Sequence, residues 1–400
     1  MSNVTIRNIK VILTAPRDIN LVAVKVETSE PGLYGVGCAT FTQRPEVVVT
    51  AIEKYLTPLL INRSVDRIED IWQMCMVNGY WRNGPVLNNA VSGIDEALWD
   101  IKGKMAGMPV YELLGGKSRE GAAVYRHAIG SDSSELFSEM DKFIEEGYQH
   151  IRVQLGAYGG RNAELIRPRN SQEGAYFNPI SYMREQIDMF EKVRVKYGDN
   201  LELCHDIHER LTLSDAIRMA KELEPYRLFF LEDAVAPENI ESIRQLRNHT
   251  ITPLAIGELF NNPQEWKYII SHQLIDYIRV HISQIGGLTP AIKLANFCEI
   301  YGIRTAWHGP GDITPIGLMA QLHINLNINN FGIQEFNGFS QAELDVFPGA
   351  PEICNGFMYA NDKPGFGIDI NEEEAEKYPC RFRRNKWTQS RLPDGTLVRP

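Results

Sequence analysis

The 400-residue chain is longer than one average domain, 44 % hydrophobic and 23 % charged, which excludes a disordered chain and predicts a large buried core. Its net charge of −10 disfavours nucleic acid and anionic membranes as partners. It has no apolar run of about 18 residues to span a membrane, and its first ten residues lack the pattern of a secretory signal.

In chain order, residues 3–46 read as strands and turns, and residues 47–104 as helices. Ser92, with Asp95 as capping-box partner, predicts a helix start that puts Ile94, Leu98 and Ile101 on one face. From about residue 121 the texture becomes strand, loop, helix, repeated. Eight segments read as strands: Ala123–Tyr125, His150–Gln154, Leu201–His205, Leu228–Leu231, Leu254–Ile256, Tyr277–Val280, Ile303–Trp307 and Gly332–Gln334. Ser214 reads as the cap of one intervening helix; another opens at Thr289-Pro290 and stops at Gly302. Eight such units predict a (β/α)8-type TIM barrel over 121–345, behind an α+β capping domain over 1–120. The Gly- and Pro-rich tail, 346–400, is expected to pack back on the capping domain and complete it.

One excursion breaks the rhythm. Gly156–Asn178, with Arg161, Arg167 and Arg169, follows the second barrel strand and reads as a lid or specificity loop. The cysteines, at 38, 75, 204, 298, 354 and 380, form no C-x-x-C pair, which fits reduced thiols in a cytoplasmic protein better than disulfides or zinc. Gly115-Gly116-Lys117-Ser118 ends like a phosphate loop, but Tyr111 stands where its first glycine belongs; Gly35-Val-Gly37 is too short for a dinucleotide fingerprint.

A spacing carries the chemistry. Asp206, Glu232 and Glu258 each close a strand-like segment and are separated by two equal steps along the chain. In a β/α barrel, equal steps bring equivalent strand ends round one rim, so three carboxylates converge. They would repel one another without a cation, and hard oxygen donors favour Mg2+. With Glu232-Asp233 after an apolar strand, Ile285-Gly286-Gly287 after the sixth, and Pro109-Val-Tyr-Glu-Leu-Leu-Gly-Gly116 closing the first unit, the chain resembles the enolase superfamily from end to end. It is most similar to the mannonate dehydratase family, whose members are also called starvation-sensing proteins.

The resemblance implies an enolase-like modified barrel with Asp206, Glu232 and Glu258 as the metal ligands. Many superfamily members carry a lysine base in K-x-K at the second strand; here Arg152-Val153-Gln154 removes it. The family pattern implies instead an Arg152–Tyr158 pair as base, an arginine favouring the ionised phenol. It implies His208 as the general acid for the departing 3-hydroxyl and His308, ending the seventh strand, as a second candidate base. His127, just past the first strand, Arg279 on the sixth and Glu335 ending the eighth are implied substrate contacts. Two departures bear on substrate: Pro310 stands where mannonate-active members have alanine, as in a low-activity, gluconate-type subgroup. Val398 follows Asp394-Gly-Thr-Leu397 where a tryptophan is expected to supply a ring contact.

The expected protein is a Mg2+-dependent hydro-lyase that turns D-mannonate or D-gluconate into 2-keto-3-deoxy-D-gluconate, its partner a small sugar acid and its assembly a homo-oligomer. A racemase or epimerase of a related acid, and a metabolite sensor with little turnover, remain as alternatives.

Overall fold

The computed structural model describes residues 4–156, 158, 165–382 and 385–400. The chain forms two compact units. One comprises Met1–Ala123, Glu258–Trp266 and Val280–Phe382, the other Val124–Gly257, Lys267–Arg279 and Arg383–Pro400.

The first unit opens on an antiparallel sheet of β1 (Ile6–Thr14), β2 (Leu21–Thr28) and β3 (Tyr34–Cys38), in that order. Val22, Val24 and Val26 are buried against the helix Pro85–Ala106, whose Ile94, Leu98 and Ile101 join the same core. Gly35-Val-Gly37 serves this packing: a Cβ at Gly37 would lie 2.1 Å from the Gly93 carbonyl oxygen, so only glycine lets the helix approach so closely. The helix start expected at Ser92 is corrected. Gly84 and Pro85 begin it about two turns earlier, since proline's fixed φ and missing N–H suit the first helical position.

All eight expected barrel strands are present. They are β4 (Ala122–Gly130), β5 (His150–Leu155) and, after a two-residue β6 (Ala175–Tyr176), β7 (Glu202–Asp206), β8 (Phe230–Glu232) and β9 (Leu254–Ile256). β10 (Tyr277–Ile278), β11 (Arg304–Thr305) and β12 (Gln334–Glu335) follow. In the second unit six of these lie side by side, all parallel, in the order β10-β9-β8-β7-β5-β4. β4 runs on to Gly130, so His127 lies within the strand and not past its end, and Arg279 directly follows β10. Thr212, not Ser214, caps the helix Leu213–Leu223, its hydroxyl accepting the Asp215 N–H. The helix Leu288–Ile300 begins after Gly287, which leaves Thr289 inside the first turn.

The tail does not act as one piece. In the first unit, β13 (Glu352–Cys354) and β14 (Phe357–Tyr359) form a hairpin that pairs with Ala122 and Ala123. Glu372 there binds Lys10 and Lys25, and Asp369 accepts from Tyr34. Residues 385–400 pack elsewhere: β15 (Ser390–Arg391) runs parallel to β6 in the second unit. No described helix is long and apolar enough to cross a membrane.

Candidate active site

In the second unit the register Asp206↔Glu232 and Glu232↔Ala255 sets the ends of β7, β8 and β9 side by side, with Glu258 two residues beyond β9. Asp206 and Glu232 are fully buried. A guanidinium faces each: Arg152 Nη1 donates to Asp206 Oδ2 at 2.9 Å, and Arg279 Nη2 lies 2.6 Å from Glu232 Oε1. Arg279 also donates to the Tyr125 hydroxyl at 2.7 Å, and the Tyr125 ring stacks on His127. The all-oxygen carboxylate set at these neighbouring strand ends fits a hard divalent cation such as Mg2+.

The segment after β7 turns sharply. His208 and Glu209 have φ of 57° and 51°, and Asp233, after β8, has 38°, backbone shapes that non-glycine residues adopt seldom and that cluster at working sites. The turn lets the His208 N–H donate to Asp206 Oδ1 at 2.7 Å and presents the imidazole to Tyr158, ring centroids 4.1 Å apart. Tyr158 in turn accepts from Arg152 Nη2 at 3.4 Å. Arg152, Tyr158, Asp206 and His208 therefore lie together in one constellation. Arg161 lies outside the described residues. Arg167 stacks on Tyr176 and Arg169 is exposed, so neither of the loop's other two arginines is drawn into this group.

Sequence reasoning missed three participants here. Trp387, in the tail, sets its ring against His208 and Tyr158, at 5.7 Å and 6.2 Å. Gln154 is buried two residues from Arg152 on the same strand, and neither of its amide atoms is hydrogen-bonded among the described residues. Arg210 is buried between the Tyr158 and Phe177 rings. R-V-Q in place of K-x-K was a signal for Gln154; Trp387 had none, because its contacts join residues far apart in the chain.

The first unit holds the other candidates. His308 Nε2 lies 3.2 Å from Glu258 Oε2, and its Nδ1 3.8 Å from Asp312 Oδ1. Burial opposes a charge on His308, but Asp312 and Glu258 outweigh it and push the imidazole up to about 9. His281, its ring 5.4 Å away, is fully buried and driven down to about 4, chiefly by burial. Glu335 accepts the Gly309 N–H at 2.9 Å, which holds the turn carrying His308.

Comparison with known proteins gives a consistent answer. Residues 1–115 match the family model of the mandelate racemase / muconate lactonizing enzyme N-terminal domain, and residues 135–375 that of the enolase C-terminal domain-like fold. A D-galactonate dehydratase family member of Enterocloster bolteae is 59 % identical over 404 residues, covering 100 % of both chains. Another, from Pantoea ananatis, is 55 % identical over 417 residues, again covering 100 % of both. A crystal structure of an enolase from Pantoea ananatis, with bound D-gluconate and Mg, superposes with a TM-score of 0.97 at 55 % identity and covers 100 % of both chains.

Proposed function

Because the chain belongs to the enolase superfamily, with an N-terminal capping domain and a C-terminal α/β barrel, and within it to the D-galactonate dehydratase family, we propose that it is a Mg2+-dependent sugar-acid dehydratase. The observation that carries this reading is the Arg152–Tyr158–Asp206–His208 constellation: a ligand-type carboxylate, a phenol beside a guanidinium and an imidazole, all in contact.

In this reading Asp206, Glu232 and Glu258 would hold a Mg2+, whose charge would offset the negative charge that builds on the substrate carboxylate as C2 loses its proton. Arg152 and Arg279 hold Asp206 and Glu232 in place. For an acid with the C2 configuration of D-mannonate, the Tyr158 phenolate takes the C2 proton. His208 gives a proton to the C3 hydroxyl, which leaves as water. The resulting enol tautomerises to the 2-keto-3-deoxy acid. D-Gluconate presents its C2 proton on the opposite face, where His308 is the base in its neutral form, which a cation held by Glu258 would favour by offsetting that carboxylate's charge. His127, Arg279 and Glu335 complete the polar lining, with 1–120 as cap and 121–345 as barrel.

Pro310, together with the D-gluconate held by the Pantoea structure, favours D-gluconate over D-mannonate as substrate. The six free cysteines suit a cytoplasmic enzyme, and symmetric homo-oligomers are the common assembly of such proteins. The test incubates the full chain and Mg2+ with D-gluconate, D-mannonate and D-galactonate and reads the 2-keto-3-deoxy product. Product from D-gluconate, lost in Asp206→Asn, is the expected result. A C2 epimer with its hydroxyl retained would make the protein an epimerase. Thermal stabilisation by an acid without product would make it a sensor.

A further inference from the structure

Arg210 lies beside the constellation, and nothing described so far uses its charge. It is only 7 % exposed, and among the described residues none of its three guanidinium nitrogens has a hydrogen-bond partner. A guanidinium carries five N–H donors, and burying one unpaired is costly, so such a group persists where an anion comes to it. Its Cζ lies 5.6 Å from the Tyr158 ring centroid and 5.5 Å from that of Phe177. The ionisable groups that act on it are Tyr182, Asp206, Tyr158 and Glu209. Of these, Asp206 is already engaged by Arg152 and by the His208 N–H.

Tyr158 therefore stands among two guanidiniums and an imidazole. Arg152 touches its oxygen, but that arginine is shared with Asp206. His208 covers its ring and Trp387 adds an uncharged edge. Among the described residues no acceptor is hydrogen-bonded to Arg210. We propose that Arg210 is a positioning residue that holds Tyr158 in its ionised form, the phenolate being the anion that the buried guanidinium lacks. The inference rests on the reading of Tyr158 as a base. It adds to that reading the source of the phenol's acidity: one arginine placed at the oxygen, and a second, without other duties, beside the ring. An ordinary phenol titrates near pH ~10 and would be almost wholly protonated at neutral pH; two nearby cations each favour the charged form.

The experiment titrates the phenol directly, in the full-length protein without metal or substrate. Tyrosine labelled with 13C at Cζ is followed by NMR, and the Tyr158 signal is assigned as the one missing in Tyr158→Phe. In the wild type it is expected to titrate below the ordinary ~10. In Arg210→Gln it should rise by about one unit or more, and in Arg210→Lys, which keeps the charge, it should stay near the wild-type value. An unmoved titration in Arg210→Gln overturns the proposal, as does an equal rise in the Lys and Gln variants, which would make Arg210 a packing group. Should Arg210→Gln not fold, the wild type decides: a Tyr158 phenol titrating at ~10 or above overturns the proposal. Because no turnover is read, a protein that dehydrates no acid leaves this result standing, and a normal phenol in an active enzyme refutes the proposal without touching the reaction class.

Discussion

Two regions of this molecule bury carboxylates, and they do so by opposite means. On the helix Pro85–Ala106, Asp95, Glu96 and Asp100 are sealed from water and tied mainly to neutral donors. Asp95 accepts the Thr289 N–H at 2.8 Å and its hydroxyl at 2.6 Å. Glu96 accepts the Cys38 N–H, and Asp100 accepts those of Val36 and Phe366 as well as Lys104. Burial pushes all three up, Asp95 to about 7 and Glu96 to about 8. At the ends of β7 and β8, by contrast, Asp206 and Glu232 each face a guanidinium. The first set fastens β3, the loop at Phe366 and the helix Leu288–Ile300 to one helix, and needs no charge to do it. The second set is tied to cations instead of neutral donors.

Removing a charge should therefore have unlike results in the two regions. Asp206→Asn is expected to lower turnover by about 10³-fold or more, because a ligand and the partner of both Arg152 and His208 go together. Thermal unfolding should show the variant folded; a large residual activity would break the contrast. Next in size are the two bases. Tyr158→Phe should cost roughly 10²–10⁴-fold with the D-mannonate configuration and far less with D-gluconate, and His308→Asn the reverse. Product assays on both acids check this, and equal losses on both would assign one base to both faces. A smaller effect is expected at Trp387. Trp387→Leu removes the ring against His208 and Tyr158, and should cost about 10-fold in kcat/KM while the melting temperature stays within a few degrees.

Much of this contrast was legible in the residues. Equal steps from Asp206 to Glu232 to Glu258 register as strand ends because a β/α unit has a near-constant length, and all eight strands fall where apolar runs stop. The helix acids were misread. Ser92-x-x-Asp95 has the spacing of a capping box, yet the pattern carries no information about burial, and Gly84-Pro85 supplies a start upstream. Asp95 meets Thr289 across a sequence separation of 194, a contact that no local pattern encodes. The same limit hid Trp387 and the division of the tail at Phe382, since chain topology, not periodicity, brings residues 385–400 to β6. Arg210 was hidden for another reason: an arginine two residues past a histidine reads as solvated until its burial is known.

The variant with the smallest effect on turnover tests the structural half of the comparison. Asp95 is raised to about 7 in the fold, mainly by burial, against about 3.9 in an unfolded chain. Between those two values the folded state holds a proton at Asp95 that the unfolded state has lost. Its contribution is then fully present below about pH 4, falls by up to about 1.4 kcal/mol per pH unit as pH rises, and is level above about 7. The amide that Asp95→Asn introduces cannot titrate. Subtracting the variant's denaturant-unfolding free energy from that of the wild type at each pH should therefore leave a descending ramp over that window and a plateau on either side. Gly287 constrains the choice of variant: a Cβ there would lie 2.6 Å from Asp95 Oδ2, so the site admits an isosteric amide and nothing larger. Turnover should be unchanged. A flat difference would show that Asp95 stays ionised when buried, held so by its hydrogen bonds, and the contrast between carboxylates tied to neutral donors and those tied to cations would fail at its clearest member.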